Sequence, residues 1–173
     1  MDTPSGPASA EEAAVTRTLI REAPYAYLAM TEPEGPYVSP LNFAFAEESA
    51  TPAATEDSKD QTAGLRGTIY FHTGKGRKTA ALAADPRVCL AVTAGVAFLR
   101  GDGPCENSFS YRSLLIWGRA RRIDDPAGRE MALRAIVSKY DPEGAGMPFD
   151  EGVFEQTLVY ELAIDTATYK QKP

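Results

Sequence analysis

The stretch from Gly67 to Thr93, GTIYFHTGKGRKTAALAADPRVCLAVT, constrains the fold of this 173-residue chain more than any other. Thr68-Ile69-Tyr70-Phe71 is β-branched and aromatic, which suits a pleated, half-buried strand. Gly74 and Gly76 open a turn at which the backbone can come close to a ligand. Arg77 and Lys78 follow at the start of a helical run, Thr79 to Ala84. That run stops ahead of Pro86, because the residue before a proline is pushed out of the α region. Arg87 to Val92 predicts a second strand.

The charge at that helix start is of the unfavourable sign. A helix N-terminus is already electropositive, so Lys75, Arg77 and Lys78 repel it unless an anion lies between them. Free backbone N–H groups, a glycine turn and three cations together make a seat for a phosphate monoester. The bland alternative is a solvated basic turn in an acidic protein.

Tyr70-Phe71-His72-Thr73-Gly74-Lys75-Gly76-Arg77-Lys78, then Leu82, then Asp85-Pro86-Arg87-Val88-Cys89, resembles the central signature of the FMN-binding split-barrel superfamily. That superfamily includes pyridoxamine 5'-phosphate oxidase, and within it the chain is most similar to the nitroimidazole-resistance (Nim-type) flavoproteins. Two more segments fit in order: Tyr37-Val38-Ser39-Pro40-Leu41-Asn42-Phe43 upstream and Ser110 to Ala120 downstream. The similarity runs from about Glu22 to Tyr169. It implies a mainly β fold with peripheral helices, a split β-barrel, and a homodimer with each flavin at the subunit interface. It also implies that Ser39, Leu41 and Asn42 lie along the flavin, and that Arg112 and Ser113 make polar contacts to flavin or its phosphate. The oxidase branch often has a longer amide side chain where Ser113 stands. The oxidases also carry a C-terminal Arg-containing substrate segment and a terminal Trp region. This chain ends in Thr168-Tyr169-Lys170-Gln171-Lys172-Pro173, which argues against vitamin B6 oxidation.

Composition narrows the partners. The net charge is −6, and no long basic stripe is present, so nucleic acid and anionic membranes are poor partners. No apolar run reaches the ~20 residues that span a bilayer, and the expectation is a cytoplasmic protein. Cys89 and Cys105 have no zinc or CxxC spacing, so neither a metal site nor a disulfide is expected.

Taken in order, residues 1–8 read as a disordered start, followed by a single domain over 9–173. Ser9 and Glu12 form a capping-box signal for a helix from Ala10 to Ala23, with Ala14, Val15, Thr18 and Leu19 inward. Tyr25–Met30 and Tyr37–Phe45 read as a hairpin about Glu32–Gly35. Pro40 requires its strand to be an edge or bulged. Without the family, Asn42 is an ordinary edge residue facing water. Residues 46–66 read as a low-complexity insertion, either padding or a lid near the site.

Ala94 to Phe109 reads as a long connection, and Tyr111 to Ala120 as a strand with Tyr111, Ser113, Leu115 and Trp117 on one face. Trp117 is assigned to core packing, with stacking on a flavin or a partner subunit as alternatives. Asp125 and Pro126 mark a clean helix start, and the helix runs to Tyr140 with Leu133, Ile136, Val137 and Tyr140 inward. Leu158–Ile164 is the last strand; the tail beyond carries no strong signal.

His72 is the only histidine and stands where strand meets turn. It packs at a strand end, or it contacts flavin and donates a proton, or it ligates haem, as some split-barrel relatives do. Lys75, Arg77 and Lys78 would neutralise the FMN phosphate, Thr73 would add a hydroxyl bond, and His72 would pass a proton to a reduced substrate. The leading expectation is a flavin-dependent reductase of nitro or other electron-poor small molecules. The alternatives are a haem-binding protein, enzymatic or not, and a deazaflavin enzyme, whose longer anionic tail needs further basic residues.

Overall fold

The computed structural model describes residues 10–48 and 65–172. The expectations for residues 1–8, for the Ser9 cap and for the centre of the 46–66 insertion lie outside the described residues. Among the described residues there are seven strands: β1 (Ala26–Glu32), β2 (Gly35–Leu41), β3 (Phe43–Glu47), β4 (Gly67–Thr73), β5 (Arg87–Leu99), β6 (Ser108–Ile123) and β7 (Leu158–Lys172). They form one antiparallel sheet in the order β2-β1-β5-β6-β7-β4-β3. The described residues also form four α-helices beside it: α1 (Ala10–Glu22), α2 (Arg77–Ala84), α3 (Pro126–Tyr140) and α4 (Glu151–Gln156).

The topology forces the sheet to roll. Its two edge strands, β2 and β3, are joined by a single residue, Asn42. In a flat sheet at ~4.8 Å per strand those edges would stand roughly 29 Å apart. One residue spans only about 3.5 Å, so the edges must meet at this corner. The register shows the stagger of a barrel. Ser39 traces through Leu28 and Leu90 to Ile116, whereas Phe43 traces through Phe71 and Tyr160 to Arg122. Residues four apart in the chain arrive six apart on β6, as slanted barrel strands require. The edges do not pair with each other, so the barrel is split. At the split, the Tyr140 hydroxyl accepts from the Phe43 N–H at 3.1 Å and donates to the Phe43 carbonyl at 3.2 Å. The end of α3 thus covers an edge that would otherwise be open.

Alternate residues of each strand fill the barrel. Leu28, Phe43, Ile69, Phe71, Leu90 and Leu114 are fully buried, and the Phe71 ring stacks on Tyr160 at 5.3 Å. Ile20 of α1 and Leu82 of α2 close on the same core. A second cluster lies outside the barrel wall, where Leu133 and Ile136 of α3 pack on Ala44, Tyr70 and Val159. The α3 start is as expected: Pro126 opens it, and the Asp125 carboxylate accepts from the Gly128 N–H at 2.7 Å.

Several expectations need correction. The 37–45 strand is two strands on opposite edges, broken at Asn42. Pro40 does sit on an edge strand, without a bulge, paired with Tyr27. The buried face of α1 is Ala13, Thr16, Leu19 and Ile20, not Ala14 and Thr18. Thr16 can be buried because its hydroxyl bonds the Glu12 carbonyl at 2.7 Å. At the margins of the 46–66 stretch, Ala46 and Glu47 belong to β3, and Leu65 is buried in the core. The long connection expected over 94–109 is mostly strand. β5 runs on past a bulge at Gly95, whose φ of +65° suits glycine, and pairs with β6 down to Leu99–Ser108. β7 likewise continues through the tail to Lys172. Trp117 is outside the core and 38% exposed, on the outer face of β6.

Candidate functional site

The site is built where β4 hands over to α2. The helix lays Ala81 and Leu82 against the barrel core beside β1. Arg77 and Lys78 stand one turn earlier on that same face, at i−4 from each, so both cations are drawn down toward the barrel. Gly76 precedes the helix, and its N–H is taken by the Thr79 hydroxyl at 3.1 Å. This corrects part of the expected free backbone, yet the first intrahelical bond is Ala80 N–H to Gly76 carbonyl. The N–H groups of Arg77, Lys78 and Thr79 therefore have no acceptor inside the helix. A Cβ placed on Gly74 or Gly76 would meet nothing within 4 Å. The space in front of the helix start is open.

Arg77 is already engaged. Its Nε lies 3.0 and 2.8 Å from the two Glu32 oxygens, and its Nη2 lies 2.5 Å from Oε2. The guanidinium carbon is 4.5 Å from the centre of the Tyr37 ring. Glu32 ends β1 and Tyr37 enters β2, so a single hairpin supplies both contacts. Its turn depends on Gly35, whose φ of +129° favours glycine. The Glu32 side chain is only 7% exposed, whereas that of Arg77 is 64% exposed. Sequence reasoning missed Glu32 and Tyr37. An acid before a tight turn carries no signal that a helix will fold back over it.

Lys78 contrasts with its neighbour. It is half-buried, and lost hydration lowers its pKa. Among the described residues its ammonium has neither a hydrogen bond nor a carboxylate partner. His72 has a lowered pKa too, first from lost hydration and then from the positive charge of Lys78. Its imidazole is therefore neutral near pH 7. Thr73 adds a hydroxyl at the end of β4, spent locally on the Gly74 carbonyl at 3.2 Å. Lys75 is exposed in the turn.

On β2 the inward row is Tyr37, Ser39 and Leu41. Ser39 is half-buried beside the Arg77–Tyr37 contact, and Leu41 is 6% exposed, leaving its backbone rather than its side chain for a ligand. Continued by one residue, the Phe43–Phe71 register sets exposed Asn42 opposite His72. His72, Thr73, Lys75, Arg77 and Lys78 thus run through the turn from β4 into α2, while Ser39 and Asn42 lie on and just beyond the edge strand β2.

Arg112 and Ser113 stand on β6, paired with Ala94 and Thr93 of β5. Arg112 faces inward, over Gly95 and close enough to Tyr169 for its charge to act on that phenol. Ser113 faces outward in the row with Leu115 and Trp117. Among the described residues no three His, Cys, Asp or Glu side chains gather as a metal would need, and no helix is long and apolar enough to cross a membrane.

The fold matches known proteins. The family model for pyridoxamine 5'-phosphate oxidase matches residues 12–171. A candidate 5-nitroimidazole antibiotic resistance protein from Bacteroides thetaiotaomicron superposes with a TM-score of 0.70 at 22% identity, over 90% of this chain and 81% of that one. The flavocytochrome Anf3 from Azotobacter vinelandii gives 0.71 at 23% identity, over 95% and 68%. An FAD- and haem-binding protein from Mycobacterium smegmatis gives 0.71 at 23%, over 95% and 71%. A search of curated proteins found no match. With its split barrel and a family match over nearly its whole length, the chain belongs to the pyridoxamine 5'-phosphate oxidase family.

Proposed function

We propose that the chain is an FMN-dependent reductase of nitro compounds or similarly electron-poor small molecules. Lys78 supports this reading most. A half-buried ammonium without a carboxylate is costly, and here it stands beside open room at a helix start. A phosphate monoester supplies the missing partner. Lys75, Thr73 and the outward N–H groups of Arg77 complete a donor set that fits that anion. Ser39, the Leu41 backbone and Asn42 line the ring. FMN, when bound, accepts and returns hydride or single electrons. The chain holds the phosphate, orients the ring along β2 and keeps His72 beside it. His72, once protonated by solvent acid, would be a readily donating imidazolium, because its pKa is lowered, and could pass that proton to the reduced product and return to the neutral form.

The working unit in this reading is a homodimer. Tyr27, Val38, Leu115 and Trp117 are exposed on one outer face of β1, β2, β5 and β6, and a second copy covers them. In this reading Arg112 and Ser113 of β6 make polar contacts to the flavin or its phosphate. Leu115→Arg is expected to yield monomers in sedimentation.

Haem held by His72 is the second reading, favoured by an imidazole that keeps its lone pair at neutral pH. A deazaflavin is the third. The visible spectrum of purified protein separates them: two broad flavin bands, a Soret band, or one shorter-wavelength band. Flavin bands together with reduction of a 5-nitroimidazole by a reduced nicotinamide are expected. Protein that takes up none of the three contradicts all of them.

A further inference from the structure

We infer that Glu32 is the positioning residue of this seat, acting on the phosphate through Arg77. The inference rests on the phosphate reading above. An arginine side chain free in solvent must be ordered before it can grip an anion, and that ordering opposes binding. Here the ordering is already done. Glu32 takes the Nε and Nη2 edge of the guanidinium side-on, and the Tyr37 ring lies 4.5 Å beneath it. Of the five guanidinium N–H groups, three remain, and the side chain is 64% exposed, so they face outward. The carboxylate that does this is 7% exposed and sits at the end of β1, on the rigid sheet rather than on a loop. Glu32 also carries a negative charge near the phosphate. That repulsion acts across the guanidinium and through water, whereas the ordering acts directly on the gripping group. Weaker binding is therefore expected when Glu32 is neutralised.

Riboflavin and FMN differ by the phosphate alone, so their affinity ratio isolates the seat. Both are titrated by flavin fluorescence against the wild type, Glu32→Gln and Tyr37→Leu, with melting temperatures recorded. The expected result is a wild-type preference for FMN. Glu32→Gln cuts FMN affinity about tenfold and leaves riboflavin unchanged. Tyr37→Leu cuts FMN about threefold, again without touching riboflavin. A wild-type preference that Glu32→Gln leaves intact, or enlarges, overturns the inference alone. If Glu32→Gln fails to fold, an unaltered ratio in Tyr37→Leu overturns it. Equal binding of FMN and riboflavin by the wild type overturns the phosphate reading and this inference with it.

Discussion

Lys78 at the start of α2 and Lys139 near the end of α3 are both half-buried lysines whose ammonium groups lose water. Their surroundings differ. The Lys139 Nζ sits 3.4 Å from the centre of the Phe43 ring and 3.4 Å from the Ile20 carbonyl, in the last turn of α1. Beside it the Tyr140 hydroxyl bridges the edge of β3. A cation at a helix C-terminus and over an aromatic face is where the fold wants one. Lys78 has no such company. It lies at a helix N-terminus, with a neutral imidazole for a neighbour and open space in front. Lys139 finds its contacts within the fold; among the described residues, the Lys78 ammonium finds none.

The largest effect should separate the two ends by binding. Arg77→Ala with Lys78→Ala is expected to weaken FMN binding by about 3–6 kcal/mol, two charge-assisted contacts at about 1.5–3 each. Lys139→Ala is expected to leave FMN affinity within about twofold, since it shares no contact with the seat. Fluorescence titration reads both. Loss of FMN in the Lys139 variant alone would erase the distinction.

Stability should sort them the other way. Tyr140→Phe leaves the Phe43 N–H and carbonyl without their partner, at a cost of about 1 kcal/mol in chemical denaturation. Lys78→Met removes a desolvated charge and should raise the ligand-free melting temperature slightly, by about 1–2 °C for ~0.5 kcal/mol in a domain this size.

The pH dependence sharpens the contrast further. The Lys139 pKa is lowered from 10.5 to about 8 by lost hydration. Between those values the unfolded chain holds a proton that the folded chain has released. Stability therefore rises with pH from about 8 toward 10.5. Replacing Lys139 with Met should flatten that rise in thermal melts taken between about pH 7.5 and 9.5.

Much of this was legible in the residues. Asp125-Pro126 marked α3 because cap chemistry is local. The turn from His72 to Lys78 was legible because glycines and cations at a helix start are local as well. The alternation of β6 separated Leu114 and Ile116, both buried, from Leu115 and Trp117. What escaped notice depends on partners distant in sequence. Asn42 joins opposite edges of the sheet with no turn residue to announce it, so the strand pattern reads straight through. Ala94 to Leu99 has little to recommend it as strand until β6 pairs with it. Glu32 gains its role only when α2 folds back over the β1–β2 hairpin, 45 residues away in sequence. Trp117 looked like core because a large aromatic in a strong strand usually is; only the register puts it on the outer face.

A crystal structure with FMN bound tests the account most directly. The prediction is a phosphate within about 3.2 Å of the Lys78 Nζ and of an outward Arg77 nitrogen, with Glu32 still holding the other edge of that guanidinium. FMN bound elsewhere, with the Gly74–Lys78 bend empty and facing solvent, would contradict it.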